Sequence, residues 1–262
     1  MIFFCIIQHK NFKFSIFIVY YHKLMKKTAL IVGANSDIAY EFTKVLAKKN
    51  FKLILLSPNY QKLIIKKNFL SKKYKVKVDI KKFNIIDTHT FDNIMKKYSN
   101  ISLIFIASGF LDKSNKNKKI VSKINYLGPR NFIKKIPKLK MKNLREVICI
   151  TSVSGDRIDA NKNEYSKAKK KLSNFLKNQQ KYFFKRGILL KDLKLGYIKT
   201  NMTKNIFFSN IICASSSELA TFIYNILGKK NIKTVYYPKE WIIILKIYNF
   251  ITLINPFSKL YK

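Results

Sequence analysis

Thr28-Ala29-Leu30-Ile31-Val32-Gly33-Ala34-Asn35-Ser36-Asp37-Ile38-Ala39 changes character twice. An unbroken apolar run ends at Gly33, and small and polar residues follow. From Asp37 to about Lys48, Ile38, Phe42, Val45 and Leu46 then recur at helical spacing. A short continuous apolar run reads as a strand buried on both faces, and the recurrence reads as an amphipathic helix. Backbone N–H groups in the turn, with the helix N-terminus behind them, can cradle a pyrophosphate. On its own the turn reads equally as an ordinary strand–helix connection, because Gly33 is its only glycine.

The pattern repeats outward. Strand-like runs are Leu53–Leu56, Leu103–Ile106, Val147–Ile150, Ile188–Leu190 and Thr234–Tyr237, with helical stretches between them. One helix starts near Tyr165 and carries Ala168, Leu172, Phe175 and Leu176. This alternation predicts an α/β fold with a parallel sheet covered on both sides. The expected organisation is an N-terminal extension over 1–24, one domain over 25–239 and an apolar helical tail over 240–262. The apolar runs Ile2–Ile7 and Phe14–Tyr21 are too short for the roughly 18 residues that span a bilayer. No small-residue cleavage site follows them. Met25 reads as an alternative start, with 1–24 as upstream sequence or as a membrane-touching segment.

The chain has 262 residues, 53 of them basic and 13 acidic, for a net charge of +40. Four of the basic residues are arginines (Arg130, Arg145, Arg157, Arg186), so 49 are lysines. Lys, Asn, Ile, Phe and Tyr share AT-rich codons, and the lysines are spread along the chain. The charge is therefore read as compositional. No specific nucleic-acid partner is expected, while attraction to an anionic membrane fits better. Cys5, Cys149 and Cys213 form no CxxC pair, and His9, His22 and His89 are scattered. A disulfide framework, a metal site and a Ser/His/Asp triad are not expected, and a reducing, cytoplasmic setting is.

Four further residues bear on the chemistry. Tyr165 and Lys169 stand at i, i+4 on one helix face. Ser152 lies 13 residues before Tyr165, and Asn125 lies 27 before Ser152. Taken singly, each reads as an ordinary structural residue. Together this Asn…Ser…Tyr-x-x-x-Lys set resembles the short-chain dehydrogenase/reductase family. Gly33-Ala34-Asn35-Ser36-Asp37-Ile38-Ala39 is similar to that family's glycine turn. Asn84-Ile85-Ile86-Asp87 is similar to its adenine-side segment, and Ala107-Ser108-Gly109 to the element after the fourth strand. Leu195-Gly196-Tyr197-Ile198-Lys199-Thr200 is similar to the element after the sixth. The resemblance covers about 26–238.

It implies a doubly wound Rossmann fold with about seven parallel strands, and a homodimer or homotetramer. The implied activity is reduction of a ketone with a nicotinamide cofactor. The implied catalytic residues are Asn125, Ser152, Tyr165 and Lys169. Cofactor contacts are implied at Gly33, Asn35, Ser36, Asp37, Ile38, Asn84, Ile85, Ala107, Ser108, Gly109, Gly196, Ile198 and Thr200, besides Tyr165 and Lys169. Ser152-Val153-Ser154-Gly155-Asp156-Arg157, Asn201-Met202-Thr203 and Tyr236-Tyr237-Pro238-Lys239-Glu240-Trp241 look like the reductases of the decaprenylphosphoryl-ribose 2-epimerase pathway. That narrower resemblance implies a lipid-linked keto sugar as substrate.

A free tyrosine has a pKa near 10, and a neighbouring ammonium lowers it. Lys169 is expected to tune Tyr165, the general acid in reduction. Ser152 would hydrogen-bond the carbonyl oxygen. By resemblance, Lys169 also holds the nicotinamide ribose and Asn125 a water linking Lys169 to solvent. Asp37 replaces a glycine of the family pattern, so its carboxylate is expected to turn outward. Strand two ends Leu55-Leu56-Ser57-Pro58-Asn59 with no acid after it. An acid there usually marks an NAD site. Ser57, Asn59 and Lys62 could meet a 2′-phosphate, so NADP is favoured over NAD. Asn201–Ser217, with Phe207 and Phe208, reads as a substrate lid or a plain surface loop. Trp241–Phe257 reads as an interfacial helix at the inner membrane face or a helix packed on a partner subunit. The alternative to an enzyme is a non-catalytic nucleotide-binding scaffold or sensor with the same fold.

Overall fold

The computed structural model describes residues 27–87, 89–98, 100–112, 116–139, 141–203 and 213–254. The expectations for 1–24, for Phe207 and Phe208, and for the tail beyond 254 lie outside the described residues.

The strands in chain order are β1 (Thr28–Val32), β2 (Lys52–Ser57), β3 (Val78–Lys82), β4 (Leu103–Ile106), β5 (Glu146–Ser152), β6 (Leu189–Leu195), β7 (Tyr197–Lys199), β8 (Cys213–Ser215) and β9 (Thr234–Tyr237). The helices are α1 (Asp37–Lys48), α2 (Tyr60–Tyr74), α3 (His89–Lys97), α4 (Lys118–Ser122), α5 (Gly128–Lys135), α6 (Glu164–Phe184), α7 (Ser216–Asn225) and α8 (Trp241–Ile254). Seven strands form one parallel sheet in the order β3-β2-β1-β4-β5-β6-β9, and β7 pairs with β8 in a separate small sheet. This is the doubly wound Rossmann arrangement. Its strand order reverses between β1 and β4, and such a reversal opens a crevice at the carboxyl ends of the strands.

Successive residues of a strand face opposite sides, so β1 feeds two cores. Ala29 and Ile31 pack with Phe42 and Leu46 of α1, Leu63 of α2 and Leu219 of α7. Leu30 and Val32 pack with Phe91 of α3, Phe132 of α5 and Leu172 of α6. Cutting one such buried leucine to alanine costs about 2–5 kcal/mol. Ser36 starts α1 by capping it: its Oγ accepts from the Ala39 N–H at 3.2 Å.

The β7–β8 pair was not anticipated from the sequence, and two strands of the seven-stranded sheet differ from the expectation as well. β3 was not anticipated, because Val-Asp-Ile-Lys-Lys alternates at the sheet edge and forms no apolar run. β6 runs on to Leu195 rather than stopping at Leu190, through Lys191, Asp192 and Lys194, all buried. Each of these charges has a partner, as a buried charge must. Lys191 Nζ reaches Glu146 Oε1 at 2.5 Å and the Ile226 carbonyl at 2.6 Å. Asp192 accepts from the hydroxyls of Thr151 and Ser173. Lys194 donates to both oxygens of Asp156, at 2.6 and 2.8 Å.

Beyond β9, α8 is pinned along one side. The Ile158 N–H donates to Asn249 Oδ1 at 2.8 Å, and the Tyr248 hydroxyl donates to Asp159 at 3.0 Å. Among the described residues no helix is long and apolar enough to cross a membrane.

Candidate active site

A cleft of about 510 Å³ lies over the strand-order reversal. Of the catalytic and cofactor residues named from the sequence, Asn59 and Asn125 do not line it; the others do. Gly33 has φ +79°, and a Cβ there would sit 2.9 Å from the Ala107 carbonyl and the Ser108 nitrogen. Only glycine accepts that conformation and that closeness, so the β1 turn and the β4 loop can form one floor.

The β2 end is fixed by Asn35. Its Nδ2 donates to Ser57 Oγ and to the Asn59 carbonyl, each at 2.8 Å, while Asn59 Oδ1 caps α2 through the Lys62 N–H at 3.0 Å. Asn35 Oδ1 is buried and has no hydrogen-bond partner among the described residues. A buried acceptor left open in the cleft wall fits a ligand that brings a donor. With the glycine floor and the α1 N-terminus beside it, this end of the cleft fits a dinucleotide.

Asp37 departs from the expectation that it turns outward. Its carboxylate lines the cleft and accepts from the Asn201 backbone N–H at 2.8 Å and from Asn201 Nδ2 at 3.3 Å. The donors offered by Asn201 draw it across the mouth. Lys66 supports the same turn, its Nζ donating to the Ala34 carbonyl at 3.0 Å. Burial pushes Lys66 down to about 8, and Asp37 opposes that shift.

At the other end, Asn163 caps α6 by accepting from the N–H groups of Tyr165 and Ser166, at 2.9 and 3.2 Å. The cap puts Tyr165 in the first turn and Lys169 one turn deeper, where Lys169 is 2 % exposed. Lys169 Nζ donates to the Ile150 carbonyl at 3.2 Å and lies 5.7 Å from the Tyr165 ring centre. Burial pushes the Tyr165 phenol up to about 12, opposed by a hydrogen bond with Ser152. Burial also pushes Lys169 down to about 8, opposed by Cys149 and Asp192. The lowering of Tyr165 by Lys169 expected from the sequence is not seen: burial raises the phenol, and the influence opposing it is the Ser152 hydrogen bond, with no contribution from the Lys169 ammonium.

Asn125 is fully buried behind the β4 loop, in a π-helical turn over Lys123–Leu127. Its Oδ1 accepts from the Phe110 N–H at 3.2 Å, and its Nδ2 donates to the carbonyls of Phe110 and Val121 at 2.7 and 2.9 Å. It tethers the loop that carries Gly109.

Residues 27–210 match the family model described as short chain dehydrogenase. The chain belongs to the short-chain dehydrogenase family. This short-chain dehydrogenase is an NAD(P)-dependent oxidoreductase. It is 26% identical over 193 residues to the 3-oxoacyl-[acyl-carrier-protein] reductase FabG of Rickettsia prowazekii, covering 70% of this chain and 77% of that protein. It is 29% identical over 191 residues to the FabG of Buchnera aphidicola subsp. Schizaphis graminum, covering 70% and 78%. The fold is similar to a 3-oxoacyl-[acyl-carrier protein] reductase from Brucella melitensis in complex with NAD, with TM-score 0.71, 16% identity and coverage of 83% and 98%. It is similar as well to a short chain dehydrogenase from Burkholderia cenocepacia in complex with NADP, with TM-score 0.72, 13% identity and coverage of 90% and 97%.

Sequence reasoning gave no role to several residues that shape and support this dehydrogenase's cleft. Ser154 directs both its N–H (3.2 Å) and its hydroxyl (3.0 Å) at Ser152 Oγ. Thr203 ties the β7 end together: its Oγ1 accepts from the Thr200 N–H at 3.1 Å and donates to the Ile198 carbonyl at 2.5 Å. Asp192 holds the strand end before Ser152, through Thr151, and the helix turn after Lys169, through Ser173. The one available signal for it was a lone acid among the leucines and lysines of Leu189–Leu195.

Proposed function

We propose that the protein reduces a ketone to an alcohol, with Tyr165 as the proton donor. A nicotinamide dinucleotide held in the cleft would supply the hydride. Ser152 hydrogen-bonds the ketone oxygen and steadies the charge that develops there. Tyr165 Oη gives its proton to that oxygen, and the alcohol O–H is complete. Lys169 positions the nicotinamide ribose and presents positive charge beneath the phenolate left on Tyr165. Asn125 fixes the loop through Gly109 and a proton path between Lys169 and solvent. Gly33, Asn35, Ser36, Ile38 and Thr200 hold the pyrophosphate. Asn84, Ile85, Ala107, Ser108 and Gly109 line the adenosine side, and Gly196 and Ile198 the nicotinamide side. The observation that carries this reading is the meeting of Ser152, Tyr165 and Lys169 at one end of a cleft whose other end is the Gly33 turn.

We place NADPH ahead of NADH. Ser57 ends β2 and Asn59 and Lys62 follow it, with no carboxylate among them, and Asn35 holds Ser57 and Asn59 together. For the substrate we favour a lipid-linked keto sugar, met at the inner face of the membrane. A 3-oxoacyl thioester on an acyl carrier is the second reading, favoured by the 3-oxoacyl-[acyl-carrier-protein] reductase activity of the FabG relatives.

The test is NADPH oxidation, followed by absorbance, with each substrate class in turn. Faster turnover of the polyprenyl-linked 2-keto sugar supports the first reading, and faster turnover of the carrier thioester replaces it with the second. A protein that binds a dinucleotide but turns over no ketone is the non-catalytic nucleotide-binding form of the fold.

A further inference from the structure

Among the described residues, none covers the side of α8 turned away from the domain. Ile242, Ile243, Ile247, Phe250, Ile251, Leu253 and Ile254 are 41–65% exposed. At 100° per residue they fall within one half of the helix surface. The opposite half is fastened: Leu245 is buried, and Tyr248 and Asn249 hold the loop after β5. The helix is thus fixed in place with its apolar side outward. Its first residue, Trp241, packs on Gly196 of the cleft wall so closely that a Cβ there would lie 2.1 Å from Nε1.

We infer that this face of α8 is the seat of the protein on an anionic lipid surface, lying in the headgroup plane with its apolar side chains among the acyl chains. This extends the membrane contact of the preceding reading and is independent of which ketone is reduced. Three observations favour lipid over a second copy of the chain. At 14 residues, about 21 Å, the helix is too short to span a bilayer but suited to lie in its surface. The one charged residue on the exposed side is Lys246, and α8 carries no acid. Two such faces placed together would bury lysines without a counter-charge, which is costly. At a headgroup layer the long lysine stem lies along the apolar surface and its ammonium reaches a phosphate. Finally, the net charge of +40 draws the whole chain to an anionic bilayer and drives copies of it apart.

The test uses the full chain, sedimented with phosphatidylcholine vesicles with and without phosphatidylglycerol, at low and high salt. The triple variant Ile243→Ser, Phe250→Ser, Ile254→Ser removes the face, and Lys246→Glu reverses its one charge. The wild type should hold anionic vesicles at high salt, where surface charge is screened. The triple variant should lose that salt-resistant binding by about 100-fold or more and keep wild-type NADPH affinity. Lys246→Glu should weaken binding to the anionic vesicles only. Equal binding by wild type and both variants would overturn the inference, since charge alone would then suffice. So would no vesicle binding: with a dimer that the triple variant splits, the occupant is a second copy; with an unchanged mass, the face is covered from within the chain. NADPH affinity and ketone turnover report separately on the reductase reading.

Discussion

Asp37 and Asn201 join the two rims of the cleft: the Asn201 N–H donates to Asp37 Oδ2 at 2.8 Å, and its side-chain amide to Oδ1 at 3.3 Å. The pair ties the start of α1 to the segment after β7. It also puts a carboxylate at the positive end of a helix, in the place that suits a pyrophosphate.

The carboxylate and the dinucleotide phosphates repel each other. Asp37→Asn keeps the size and one acceptor for Asn201, and removes the charge. One charge at about 6 Å in a water-like medium is worth roughly 0.7 kcal/mol, or about threefold in affinity. NADPH binding, followed by quenching of Trp241 fluorescence, should tighten by about that factor, and the gain should shrink as salt is added. Weaker binding in the variant would mean that the tether to Asn201 shapes the site more than the charge disturbs it.

Lys169 combines a functional charge with a cost to folding. Its pKa drops from 10.5 to about 8 through burial. Below about 8 both folded and unfolded chains hold the proton, and the folded one bears the desolvation. Between about 8 and 10.5 the unfolded chain binds more protons, so wild-type stability rises with pH across that window. Lys169→Met should therefore melt higher than wild type at pH 7, and the difference should narrow toward pH 10.5. The same charge is lost from the free enzyme above about 8, so kcat/KM for reduction should fall as pH rises through that value.

The buried pair of Lys191 and Glu146 spans β6 and β5, with the lysine fully buried and a contact of 2.5 Å. Lys191→Met leaves Glu146 buried without its cation. Urea unfolding should show a loss of about 3–5 kcal/mol. Replacing both residues with apolar ones of similar size should recover most of it. A single variant as stable as wild type would show that water reaches Glu146.

The central strands were legible in the sequence because both of their faces are buried, which leaves runs such as Ala29–Val32 with no polar interruption. The helix from Asp37 was legible through its spacing and was found over Asp37–Lys48. β3 was not legible, since an edge strand keeps one face toward water and Asp79 and Lys81 break its pattern. The second half of β6 was hidden because its charges are satisfied by residues distant in sequence: Glu146, Asp156, Thr151 and Ser173. The same limit held at the site. Tyr165 and Lys169 could be paired by their spacing along one helix. The direction in which Asp37 points depends on Asn201, 164 residues away, and the protonation of Tyr165 depends on how deeply the fold buries it. Neither can be read locally.

The central claim is that Tyr165 is the acid of a ketone reduction, and Tyr165→Phe tests it most directly. The change keeps the ring, its packing and the Asn163 cap, and removes only the phenolic proton. NADPH affinity and reduction turnover should be measured on the same preparation. The account predicts affinity near that of wild type and turnover lower by about 10²–10⁴. Unchanged turnover with intact NADPH binding would contradict it and remove Tyr165 from the chemistry.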